Sequence, residues 1–169
     1  MESNNPTQFT KDFANGKILV THQCDADVDL VWDMWTKPEL LDTWWGPKPW
    51  RAETKSMDFK KGGRWVYSMV GPNNNERHWC IAEYGNIVNK KSVDWTDAFT
   101  DDKQVIDKSL PRTDWKVVFM KNGDGTEVSV TLLGTGDDLK RLADMGFQEG
   151  FTQGLRQLNE ELTAHAAKK

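Results

Sequence analysis

The chain has 169 residues, 37% of them hydrophobic and 28% charged, with a formal net charge of −4; this length and balance suit one soluble domain with a sizeable core. The negative charge speaks against a nucleic-acid surface, which needs a basic patch, and no apolar run approaches the length that spans a bilayer. Cys24 and Cys80 do not make a disulfide scaffold, and His22, His78 and His165 offer no metal-ligand spacing, so neither a metal nor another cofactor is expected.

The opening MESNNPTQFTKDF lacks the apolar stretch of a signal peptide, and a cytoplasmic location is the resulting expectation. Residues 1–15 and 164–169 are expected to be flexible ends of a single domain spanning 1–169. Between 17 and 26, Ile18, Val20, His22 and Cys24 alternate with polar positions and predict a strand. Asp27 then caps a short helix carrying Leu30, Val31, Met34 and Trp35 at helical spacing. A second short helix is predicted over TKPELLDTWWGP (36–47): Thr36 and Glu39 have capping-box spacing, Pro38 falls in the first turn, and Gly46-Pro47 ends it. Two turns are too short to be stable alone, so Trp44 and Trp45 must serve tertiary contact.

From Trp50 the pattern has period two for about eighty residues. Six strands are predicted, around RAETKSMDF, RWVYSMV, HWCIAEYGNIV, SVDWTDAF, DWKVVFM and TEVSVTLL. Turn residues separate them at Lys61 to Gly63, Pro72 to Asn75, Asn89 to Lys91 and Asn122 to Gly125, and a longer polar loop lies between Thr100 and Pro111. Alternation gathers Trp65, Tyr67 and Met69, then Val93, Trp95, Asp97 and Phe99, then Trp115, Val117 and Phe119, then Val128, Val130 and Leu132 onto one face. An antiparallel sheet with one apolar face needs a cover. The C-terminal stretch supplies a long helix with Phe147, Phe151, Leu155, Leu158 and Leu162 on one stripe. Gly146, Gly150 and Gly154 recur along it, although an interior helical Gly costs about 1 kcal/mol relative to Ala. Gly146 is expected to end or kink a first short helix, and the other two to allow close packing or leave room beside the aromatic stripe. Nine Trp against two Tyr is an unusual balance and agrees with an aromatic core, an aromatic cavity or both.

Four segments in this order, VWDMWTKPELLDTWWGP (31–47), GGRWVYSM (62–69), WTDAF (95–99) and MGFQEGFTQGLRQLNEEL (145–162), resemble the START-like (SRPBCC) superfamily. Within it they resemble the branch of homologues of the activator of heat shock protein 90 ATPase. The resemblance runs from about Lys17 to Leu162. It implies an α+β helix-grip fold: a curved antiparallel sheet of about seven strands around a long C-terminal helix, with two short helices after the first strand. It also implies that Trp45 and Gly46 stand at the mouth of a cavity, with Gly150, Phe151 and Leu155 on the cavity side of the gripping helix.

His78 and Cys80 are read as ordinary strand residues, and no catalytic residue is assigned. Asp97 stands apart, because a carboxyl among indoles would have a raised pKa and could act as an acid or base or bind a polar group of a ligand. The reading that follows is a non-enzymatic domain taking a small apolar or amphipathic molecule, with Trp45, Trp65, Tyr67, Trp95, Asp97, Phe147, Gly150 and Phe151 as candidate binding residues. Two alternatives stand beside it: a chaperone-regulating module with heat shock protein 90 as partner, and a cyclase-like or hydrolase-like enzyme using the same cavity. Neither nucleic acid nor membrane insertion is expected.

Overall fold

The computed structural model describes residues 6–73 and 75–167; Asn74 of the predicted Pro72 to Asn75 turn, residues 1–5, and residues 168 and 169 lie outside it. The strands are β1 (Thr7–Asp12), β2 (Lys17–Cys24), β3 (Arg51–Met57), β4 (Arg64–Val70), β5 (Arg77–Val88), β6 (Ser92–Thr100), β7 (Thr113–Asn122) and β8 (Gly125–Leu133). They form one antiparallel sheet in the order β1-β2-β8-β7-β6-β5-β4-β3. Helices α1 (Val28–Thr36) and α2 (Pro38–Leu41) follow β2, and α3 (Gly136–Asp144) and α4 (Phe147–Ala167) follow β8. This is the expected α+β helix-grip arrangement, with eight strands rather than seven.

The extra strand is β1, in the part of the chain expected to be a flexible end. It pairs with β2 along its whole length, from Thr7 opposite His22 to Asp12 opposite Lys17. Its sequence hides it: only Thr7 is buried and Phe9 half-buried, while the rest is polar, as suits an edge strand. At the other end α4 continues to Ala167, so residues 164–167 are helical as well.

Asp27 caps α1 as expected, its carboxylate accepting from the Leu30 amide at 3.0 Å. The predicted capping box of the second helix does not form. Thr36 still belongs to α1, where its hydroxyl donates to the Trp32 carbonyl at 2.8 Å, and α2 starts at Lys37 without a side-chain cap. Only Pro38–Leu41 is α-helical; the chain continues in turns, with the Trp44 and Trp45 amides both donating to the Leu41 carbonyl.

Across the concave face, register sets rows of side chains. One row is Tyr67, Cys80 and Phe99; the next is Trp65, Ala82, Asp97 and Thr113; a third is Tyr84, Trp95, Trp115, Leu132 and Ile18. Helix α4 closes this face with Leu155, Leu158 and Leu162 buried in the same core as Val117, Val130 and Leu132. Gly146, with φ of 89°, makes the break between α3 and α4 that a side chain would strain.

Candidate ligand-binding cleft

The two indoles of the WWGP turn have different tasks. Trp44 is fully buried and donates its Nε1 to the Met34 carbonyl at 2.8 Å, which ties the turn to α1. The Trp45 ring lies 5.4 Å from Trp65, 5.7 Å from Trp115 and 6.1 Å from Phe151, between the sheet and the start of α4. The turn is then clamped by a residue that periodicity does not single out. Gln157 of α4, 2% exposed, donates to the Gly46 carbonyl at 2.8 Å and to the Trp44 carbonyl at 3.3 Å, and accepts from the Lys48 amide at 2.8 Å. Gly46 allows this crowding: a Cβ there would sit 2.5 Å from the backbone of Arg51 and Ala52.

Beside the clamp a cleft of about 190 Å³ opens. The sheet contributes Tyr67, Met69, Cys80, Asp97, Phe99 and Trp115; the turn contributes Trp45 and Pro47; α4 contributes Phe147, Gly150 and Phe151. The volume exceeds the roughly 150 Å³ of an apolar cavity that admits benzene, and is below the roughly 300 Å³ at which sites for drug-sized ligands begin. Phe147 and Phe151 stack at 5.2 Å, and Phe151 meets Trp115 edge-on at 5.5 Å, so three rings form one wall.

Of the eight residues expected at the site, Trp45, Tyr67, Asp97, Phe147, Gly150 and Phe151 line the cleft, and Trp65 and Trp95 do not. Trp65 stacks behind Tyr67 at 4.1 Å, its Nε1 bonded to Thr54 Oγ1 at 3.0 Å, and Thr54 is held by Asp42. Trp95 stacks on Trp115 at 5.2 Å and supports it from within the sheet. Pro47, Met69, Cys80, Phe99 and Trp115 complete the lining. Met69, Phe99 and Trp115 carried the right signal, since alternation puts them on the concave face. Cys80 is set there by register, directly opposite Tyr67 on one side and Phe99 on the other.

Among the described residues, Asp97 is the one carboxylate in the lining. Its row neighbours are the small Ala82 and Thr113, and the Thr113 hydroxyl oxygen already accepts from Trp115 Nε1 at 3.1 Å. Asp97 is half-buried, with its Oδ1 covered and without a hydrogen-bond partner. Burial pushes its pKa up to about 7, against the opposing pull of the Ala98 amide. Burial also raises Tyr67 and Cys80, and the charge of Asp97 raises both further. The Cys80 thiol is therefore held protonated, the reverse of an activated nucleophile. A second buried orphan, Trp35 Nε1, belongs to the core, where the rings of Trp44, Trp45, Trp95 and Phe119 surround it.

Among the described residues no His, Cys, Asp and Glu side chains gather as a metal site requires, and no helix is long and apolar enough to cross a membrane. A different depression, about 410 Å³, lies over β5, β6 and β7, where the charged Glu83, Asp94, Arg112, Asp114 and Lys116 stand beside Leu133 and parts of Tyr84, Trp95 and Trp115, a mixed lining in contrast to the largely apolar one of the cleft.

Comparison with known proteins gives the fold a context. A crystal structure of a protein from Mycobacterium smegmatis superposes with a TM-score of 0.86 at 24% identity, over 95% of this chain and 99% of that one. A solution structure from Arthrobacter aurescens gives 0.87 at 25% identity, over 93% and 91% of the two chains. The AHSA1 protein of Silicibacter pomeroyi gives 0.71 at 19% identity, over 88% and 99%. No curated protein matches the sequence. Residues 25–163 match the family described as Activator of Hsp90 ATPase homolog 1-like protein, a span that holds α1, α2, the six strands β3 to β8, α3 and most of α4, and leaves out β1 and β2. The chain belongs to this family, within the START-like superfamily.

Proposed function

We propose that the chain is a small-molecule binding domain whose ligand, apolar or amphipathic, occupies the cleft between the sheet, the Trp45–Pro47 turn and the start of α4. The observation that carries the reading is the lining: aromatic and apolar side chains from three separate elements converge on one space, with a single carboxylate among them. A catalytic reading finds less support. Acid–base chemistry on a substrate normally employs a second group of contrasting protonation, and Asp97 shares the cleft only with a phenol and a thiol that burial keeps protonated.

Gly150 provides the test. A Cβ built there meets only Pro47 Cγ, at 3.7 Å, so a longer side chain would extend into the cleft. An uncharged naphthalene-type fluorophore should brighten and shift to the blue on binding the wild-type protein, and Gly150→Leu should abolish the signal while melting at an unchanged or higher temperature. Equal probe binding by a folded Gly150→Leu variant would remove the cleft as the binding site.

A further inference from the structure

We infer that the cleft selects cationic amines with a compact apolar body, the ammonium group pairing with Asp97 and the body lying against the aromatic wall. The inference rests on the binding reading above and adds the chemical class of the ligand.

Three observations converge. First, Asp97 lines the cleft as a half-buried residue, and its Oδ1 has no hydrogen-bond partner. A buried carboxylate is costly unless it is paired, and a ligand that brings a positive donor removes that cost. Secondly, no cation lines the cleft among the described residues, which place no Lys, Arg or His there. The titratable groups facing Asp97 are Tyr67 from β4 and Cys80 from β5, both neutral, while the turn and α4 present only Trp45, Pro47, Phe147, Gly150 and Phe151. Thirdly, most of the rest of the wall is aromatic, from Trp45, Tyr67, Phe99, Trp115, Phe147 and Phe151, and aromatic rings attract an ammonium group through their quadrupoles and accept an apolar body equally well. A neutral alcohol could donate one hydrogen bond to Asp97 but would leave its charge uncompensated. A carboxylic acid would meet it with like charge.

The group that pairs with the amine must be ionised. With Asp97 titrating near pH 7, affinity for a permanently protonated amine should rise as pH increases through neutrality.

The experiment uses the full chain and three ligands of one shape: 2-phenylethylamine, 2-phenylethanol and phenylacetate, titrated by calorimetry at about pH 5.5 and about pH 8. At the higher pH the amine should bind about tenfold or more tightly than the alcohol, with the acid weakest, and the advantage should shrink at the lower pH. Asp97→Asn, of nearly the same shape, should lose the preference while still binding the alcohol. Should that variant fail to fold, the wild-type comparison of amine with alcohol at the two pH values decides alone. Equal binding of amine and alcohol to the wild type, or a preference retained by folded Asp97→Asn, overturns the inference. The binding reading survives that result if Gly150→Leu still blocks the alcohol. Failure of the wild type to bind any of the three ligands or the naphthalene probe removes both.

Discussion

Gly150 and Gly154 sit one helical turn apart on α4 and carry the same propensity penalty, yet their surroundings differ. A Cβ at Gly150 would make an ordinary contact with Pro47, whereas one at Gly154 would lie 3.3 Å from the Trp44 carbonyl oxygen. That oxygen belongs to the turn held by Gln157 and has little freedom to retreat. Gly150→Ala should therefore be neutral or stabilising by up to about 1 kcal/mol through helix propensity and unfolded-state entropy. Gly154→Ala should destabilise by about 1–2 kcal/mol through overpacking that outweighs the same propensity gain. Denaturant unfolding of both variants checks the pair; a destabilised Gly150→Ala or a stabilised Gly154→Ala would reverse the assignment of room to one glycine and close packing to the other. The spacing of glycines in the sequence raises the question of their purpose without separating these two answers, because what decides each is a contact from a segment more than a hundred residues away.

At the scale of elements, the cleft depends on how firmly the WWGP turn is attached to α4. Gln157 makes that attachment, its amide serving the Gly46 and Trp44 carbonyls and the Lys48 amide. Gln157→Ala would leave several buried backbone groups unsatisfied, at about 1–3 kcal/mol each before water enters. The expected outcome is a loss of about 2–4 kcal/mol of stability by denaturant unfolding, accompanied by weaker binding of the naphthalene probe; a loss below about 0.5 kcal/mol would show that the turn holds itself. Sequence legibility followed the same division. Elements that bury an alternating or helical stripe were plain: β2 through its Ile18, Val20 and Cys24, the hairpins from β3 to β8, and α4 through Leu155, Leu158 and Leu162. Strand β1 was not, because its stability comes from pairing with β2 rather than from an apolar face of its own. Thr36 and Glu39 imitated a capping box because spacing alone does not reveal that Thr36 is still inside α1. The lining was legible wherever alternation fixed it, and Trp65 and Trp95 misled because alternation gives a face but not a depth: both are on the concave face, Trp65 one row behind Tyr67 and Trp95 stacked against Trp115 in its own row.

Considered as a whole molecule, the protein has its stability near neutral pH biased in opposite directions by His22 and Asp97. His22, 1% exposed, links three elements: its Nδ1 lies 2.8 Å from Thr7 Oγ1 on β1 and its Nε2 3.0 Å from Asn159 Oδ1 on α4. Burial lowers its pKa below the ordinary value of 6.5, although the bond to Asn159 pulls the other way. Below about pH 6.5 the unfolded chain takes up a proton that the folded one resists, so this term lowers stability as pH falls and levels off below the folded pKa. Asp97 behaves in the reverse sense. Its pKa of about 7 in the folded protein, raised from 3.8, means that the native state retains a proton the unfolded chain releases. Its contribution therefore falls as pH rises from about 4 to about 7, and is recovered on acidification. Between about pH 5 and pH 7 the two slopes oppose each other, above the range in which Glu53, Asp101 and Asp107, all held below their ordinary values, begin to protonate. Wild-type stability should thus change less across this interval than that of a variant lacking either group. Asp97→Asn should uncover the histidine, becoming less stable as the pH is lowered from 7 to about 5, and His22→Gln should uncover the carboxylate, becoming more stable over the same change. Denaturant midpoints of the three proteins at half-unit steps decide the matter: a flat profile for Asp97→Asn would mean that His22 gains its proton in place, and a flat profile for His22→Gln would mean that water reaches Asp97 in the folded cleft.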